Sequence, residues 1–248
     1  MYQQTLAQRE PSTFHEAQSM EAYTTRTAVN CLFQPDTSLP FDYVAQLLEA
    51  HQDALGGLDL ELSPENSARI YLLGPELVNM VYKLSWLNRR RPLRGNLLVE
   101  GVKCIRALAS WGPLEMIVAD PNTELGRNAL AVLAYRCACL SLADDIVNED
   151  LPRDQRDQKA FIVGTQALDS VTSRGEAEAV FSWPLIVIGA QAVGPESQSL
   201  FSDMITRLWT TASAGTIGRI ERFWESAWRA NMNKSVFTNA ELLRTILL

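Results

Sequence analysis

The chain has 248 residues, 47% of them hydrophobic and 21% charged, an ordinary globular composition that excludes disorder throughout and suffices for one large domain or two small ones. Lysine and arginine number 22 against 29 acidic residues, a formal net charge of -7. A surface of that sign repels a phosphate backbone, so direct nucleic-acid binding by this chain is not expected.

The four cysteines, Cys31, Cys104, Cys137 and Cys139, contain no C-x2-C pair, and only His15 and His51 stand beside them as further soft ligands. A zinc site wants four such ligands at clustered spacings, so free buried thiols of a reducing compartment are expected, with no metal and no cofactor. Residues 1–20 carry Glu10 and Glu16 and no apolar run, unlike a secretory or transit segment. The longest apolar stretch, Leu185 to Val193, is too short to cross a bilayer. The expected location is intracellular, in nucleus or cytoplasm, away from membranes.

In chain order, residues 1–40 read as a poorly structured tail, rich in Gln, Thr, Ser and Glu and punctuated by Pro11, Pro35 and Pro40. A helical domain is expected over residues 41–248. Phe41, Val44, Leu47 and Leu48 begin helical periodicity, which Gly56 and Gly57 end. Ser63-Pro64-Glu65 opens a second helix with Ser as N-cap; Ile70, Leu73, Leu77, Met80, Val81, Leu84 and Leu87 keep its spacing, and Pro75 kinks or splits it. Arg89-Arg90-Arg91-Pro92 closes that segment.

Leu97, Leu98, Val102, Ile105 and Leu108 form a third stripe that stops near Trp111-Gly112-Pro113. Leu125 to Val147, dense in Ala and Leu, reads as a central helix buried on most sides. Asp150 to Asp157 is a charged turn, followed by helices over 158–170, 176–191, 195–212, 217–229 and 239–247. No segment alternates as a half-buried strand does. The fold class is all-α, a single domain of roughly eight to ten packed helices.

Three groups carry possible chemistry. Asp144 and Asp145 open an acidic run, Asp144 to Asp150, that resembles the aspartate-rich magnesium motif of class I terpene synthases; no second metal motif follows it, and just before Leu151-Pro152 a solvated acidic loop is the normal expectation. Arg89-Arg90-Arg91 with Arg94 fits a phosphate site, a nuclear-import signal or a solvated helix end. Trp209, Trp224 and Trp228, with Phe223, have the spacing of a core stripe or of the lining of a small-molecule pocket. No G-x-S-x-G, G-x-G-x-x-G or P-loop is present, and no catalytic residue is assigned.

The segment Phe181-Ser182-Trp183-Pro184-Leu185-Ile186-Val187-Ile188-Gly189-Ala190-Gln191-Ala192 resembles the Trp-Pro-Leu-apolar-apolar-Gly-x-x-Ala stretch of the fungal-specific transcription factor domain. That domain is the helical region downstream of many Zn2Cys6 DNA-binding clusters. Pro195-Glu196-Ser197-Gln198 with Phe201 and Ile205 is similar to the family's next helix, and Gly215 to Ile220 leading to Phe223-Trp224 to the one after it. The resemblance spans roughly residues 95–235 and implies a fold rather than a chemistry. The family's six-cysteine cluster has no counterpart before residue 95 here.

The resemblance implies a transcription-factor-like regulatory protein without its own DNA-binding cluster, acting on a fungal secondary-metabolite pathway through a partner factor or a small-molecule metabolite. The alternative it leaves open is the same helical scaffold used as a biosynthetic enzyme, a cyclase or isomerase acting on an apolar intermediate. In that case Trp209, Trp224, Trp228, Asp144 and Asp145 are the residues to inspect for ligand binding.

Overall fold

The computed structural model describes residues 14–33, 46, 50, 73–112, 114–115, 120, 122–151, 155–173, 181–208, 214–229, 236–244 and 246. Every regular element among them is helical: α1 (Phe14–Phe33), α2 (Pro75–Asn88), α3 (Asn96–Ser110), α4 (Glu124–Val147), α5 (Lys159–Thr172), α6 (Ser182–Gly189), α7 (Pro195–Leu208), α8 (Ala214–Arg229), a 3-10 turn (Val236–Thr238) and α9 (Ala240–Arg244). Of the helix expected from Phe41 only residues 46 and 50 are described, both helical, and the N-terminal part of the one opening at Ser63 lies outside the described residues. No helix runs through from Ser63 to Leu87: Leu73 and Gly74 are not helical, so the segment is divided at Pro75, one of the two expected outcomes. Pro75 opens α2 behind Gly74, at a position where its missing N–H has no partner to lose.

Helix α4 is the axis of the fold and packs against α2, α3, α5 and α6. Thr123 caps its N-terminus, accepting from the Gly126 amide at 3.0 Å. Its interior positions, among them Leu130, Ala134, Ala138 and Leu142, are fully buried. Small side chains here allow close approach of neighbouring helices. A Cβ at Gly164 of α5 would lie 2.6 Å from Ile188 Cδ1 of α6 and 2.7 Å from Cys137 Cβ of α4. Three helices therefore meet where only a hydrogen atom fits.

Helix α6 is the segment Ser182-Trp183-Pro184-Leu185-Ile186-Val187-Ile188-Gly189, and all but its first residue are buried. A helix apolar on every face belongs in the middle of a core. Trp183 stacks on Tyr135 of α4 with ring centroids 5.3 Å apart and planes 11° from parallel.

Residues 1–40, expected as a tail, contain the 20-residue helix α1, which packs on α2. Its buried positions include Thr24, Ala28, Cys31 and Leu32. They follow the i, i+4, i+7, i+8 spacing of a helix face, but Thr, Ala and Cys are small and weakly apolar, so the stripe is faint in the sequence. Elsewhere the helices lie within a few residues of their expected bounds. The region 174–180, expected to begin the sixth helix, lies outside the described residues, and that helix is recorded from Ser182.

The contact of Gly189 with Trp224 yields a stability prediction. A Cβ at Gly189 would meet Trp224 Cζ2 at 2.4 Å and Cε2 at 2.5 Å, both atoms of a rigid buried ring. Gly189→Ala is expected to destabilise the domain by about 1–3 kcal/mol in urea unfolding. Gly215→Ala, in α8 with nothing within 4 Å of the added carbon, should be neutral or stabilise by up to about 1 kcal/mol. Equal stabilities for the two variants would contradict the packing described.

Candidate functional site

The two adjacent aspartates at the end of α4 lie in different environments. Asp145 is only 1% exposed. Its Oδ2 accepts from Arg91 Nη2 at 2.8 Å and its Oδ1 from Arg156 Nη1 at 2.5 Å, with the two arginine side chains 5% and 7% exposed. Arg156 also donates from Nε to the Leu151 carbonyl at 2.9 Å. This triad joins the loop after α2, the end of α4 and the loop before α5. Both carboxylate oxygens of Asp145 are occupied by guanidinium groups, and a cation would have to displace them.

Asp144 is half-buried and accepts from Asn148 Nδ2 at 2.6 Å. Burial raises its carboxyl above the ordinary range; Asn148 and Arg156 pull it down, and Asp145 and Asp157 push it further up. Among the described residues no group of three or more His, Cys, Asp or Glu side chains is placed to hold a metal ion.

The basic run divides in a similar way. Arg89 donates from Nη2 to the Cys31 carbonyl at the end of α1. Arg91 is in the triad just described. Arg90 lies over the Trp86 ring, its guanidinium carbon 3.5 Å from the ring centroid, and donates to the Trp86 carbonyl at 3.2 Å. Asn88, immediately before the run, donates from Nδ2 to the Phe237 carbonyl at 2.7 Å. Residues 88–91 thus tie α2 to α1, α4 and the C-terminal 3-10 turn. A run that reads as a surface phosphate site is largely a junction between elements.

Trp224 and Trp228 lie one turn apart on α8 and stack, with centroids 5.8 Å apart and planes 20° from parallel. Trp224 Nε1 donates to the Ile186 carbonyl at 3.3 Å and Trp228 Nε1 to the Gly189 carbonyl at 3.1 Å, so both indoles cap the end of α6. Phe201 of α7 packs edge-on against Trp224 at 5.5 Å. These rings fill space between α6, α7 and α8. Trp209 lies outside the described residues.

All four cysteines are free and buried. Burial pushes the Cys137 thiol up to about 12, so it is protonated and unreactive at neutral pH. Sequence reasoning did not identify the Arg91–Asp145–Arg156 triad. Its members are 54 and 11 residues apart, and nothing local marks an arginine that turns inward.

The neighbouring aspartates should respond oppositely to removal of charge. Asp145→Asn removes the carboxylate charge that both buried guanidinium groups bond and is expected to cost about 3–5 kcal/mol. Asp144 has its folded-state pKa above the unfolded value, so its charged form costs stability that develops as pH rises from the ordinary carboxylate range through the raised value. At neutral pH that cost is present. Asp144→Asn is therefore expected to be neutral or mildly stabilising at pH 7, with any gain fading below about pH 4. Thermal melts of both variants from pH 4 to 8 check this, and a comparable loss in both would show the assignment to be wrong.

Comparison with known families gives one result, which covers most of the fold. The family model for the fungal-specific transcription factor domain matches residues 81–239, well over half of the chain. No curated protein and no solved structure matches it. The match takes in Arg89–Arg91, Asp145, Trp183, Gly189 and Trp224, the residues whose contacts have just been described. With that span and an all-helical architecture, the chain belongs to the fungal-specific transcription factor domain family.

Proposed function

We propose that this protein is a transcription regulator, and that the domain described here acts on a fungal secondary-metabolite pathway through a partner factor or a bound metabolite. The family match over residues 81–239 carries the regulatory part of this reading. The net charge of -7 disfavours direct contact between this chain and DNA. Among the described residues no helix is long and apolar enough to cross a membrane.

The enzyme alternative draws no support from Trp224, Trp228 or Asp145. Trp224 and Trp228 pack against each other and bond to the end of α6, and Asp145 is held by two arginines.

Deleting the gene and profiling transcripts is the direct test. The expected result is altered expression of a defined set of metabolic genes, restored by the wild-type copy. An unchanged transcript profile across conditions that induce the pathway would overturn the regulatory reading. A changed product profile with unchanged transcripts would favour the enzyme.

A further inference from the structure

Large apolar side chains left in water are unevenly distributed over the described surface. Of the eight that stand out, Leu98, Val99, Trp111, Leu125 and Val132 belong to α3, to the residue that ends it, and to α4. Val99 is 53%, Trp111 41% and Leu125 74% exposed. The two helices are antiparallel neighbours: Gly101 of α3 approaches Val147, and Arg136 of α4 donates to the Leu108 carbonyl at 2.9 Å and to the Gly112 carbonyl at 2.5 Å. That geometry puts the end of α3 beside the middle of α4, where Trp111 adjoins Gly112 and Val132 lies one turn before Arg136. Scattered apolar side chains need no explanation, but several on one helix pair mark a contact surface.

The charge on the outer face of α3 gives the kind of contact. Helical spacing sets Val99, Lys103 and Arg106 along one side, with Leu98 and Val102 beside them. Lys103 and Arg106 are exposed. Arg106 has no carboxylate partner among the described residues, and Arg94 adds a further exposed cation just before the helix. The one carboxylate within α3, Glu100, is already bound to Lys83 at 2.8 Å and Lys103 at 2.7 Å, which hold its pKa down at about 2. Further carboxylates flank the two ends of the face: Glu115, Asp120 and Glu124 beyond Trp111, and Glu149 and Asp150 just after Val147, which touches Gly101. In a chain of net charge -7, the α3 face is therefore locally apolar and cationic.

We propose that the α3 face, extended over Trp111 and Val132, is a docking surface for an acidic amphipathic segment of a partner protein. The partner's apolar side chains would cover Leu98, Val99, Val102 and Val132, and its carboxylates would meet Lys103 and Arg106. Both halves of this match are needed. A purely apolar segment would leave Arg106 without a carboxylate partner, and a purely acidic one would leave the apolar side chains in water. The proposal rests on the regulatory reading, in which the domain works through a partner.

The test uses the full chain and a fluorescein-labelled synthetic peptide of about twenty residues, designed as a helix with Leu and Phe on one face and Asp and Glu on the other. Fluorescence polarisation should show saturable binding that weakens in high salt. The double variant Lys103→Glu/Arg106→Glu should weaken it about tenfold, as should Val99→Asp, while Ile162→Asp on α5 should leave it unchanged. All of these positions are exposed, so circular dichroism should show wild-type folding. A peptide of the same composition with its apolar residues dispersed should bind more weakly still.

No binding, or binding unaffected by the α3 substitutions, would overturn the proposal. So would preferential binding to phosphatidylserine vesicles over the peptide, which would make the surface a lipid contact. Transcript profiling separates this outcome from failure of the underlying reading. If gene deletion alters transcripts and Val99→Asp with Arg106→Glu does not, regulation stands and the docking surface falls. If deletion itself changes nothing, the regulatory reading falls.

Discussion

The carbonyl groups at the end of a helix have no partners within it, and in a core they cannot be left to water. In this domain α1 to α6 all lack a basic residue in the last turn that might serve them. At three of these ends, side chains from elsewhere in the chain supply donors: Arg89 reaches the end of α1, Arg136 the end of α3, and Trp224 with Trp228 the end of α6. A cation or an N–H aimed along the axis at that terminus also meets the negative end of the helix dipole. Each such bond fixes where one helix stops relative to the body of another, so the caps determine the arrangement of helices as well as their ends.

The Arg91–Asp145–Arg156 triad is a further junction between elements. Two guanidinium groups on one carboxylate leave a positive excess, and the partly buried Asp144 beside Arg156 offsets it. Removing water from such a group costs several kcal/mol per ion, so the triad is weak evidence for net stability and better evidence for register. It requires the loop after α2 and the loop before α5 to meet at the last turn of α4. An apolar substitute of the same volume could fill that space but would specify the meeting less sharply.

The helices were legible because their apolar stripes repeat at helical spacing over ten or more residues and because α4 and α6 are too apolar for a surface. The resemblance carried by Trp183, Pro184 and Gly189 was legible for a related reason. Each has one structural use here: a ring stacked on Tyr135, a proline within the first turn of α6, and an absent Cβ under the Trp224 ring. Helix α1 was not legible, since Thr24, Ala28 and Cys31 bury little apolar area. The roles of the charged residues were not legible either. Asp144 and Asp145 are indistinguishable as neighbours in sequence, and their difference lies in arginines 54 and 11 residues from Asp145. The Trp224–Trp228 stripe carried a correct spacing, but whether it lined a pocket or filled a core depended on Gly189, which lies 35 and 39 residues away.

The family match and the folding unit have different limits. The match runs from residue 81 to residue 239, and it therefore begins inside α2, which starts at Pro75. Leu77 and Val78, both buried, lie before it, as does all of α1. Leu243 and Ile246, also buried, lie after it. The hydrogen bonds from residues 88 and 89 run outward from the matched region to Cys31 and, at its far edge, to Phe237. Cutting at the family limits would strip α2 of its first turn and of the helix that packs on it, and leave Arg89 without its carbonyl. The matched region holds the pattern by which the family is recognised; the structure that makes that pattern stable extends into sequence the family model does not cover.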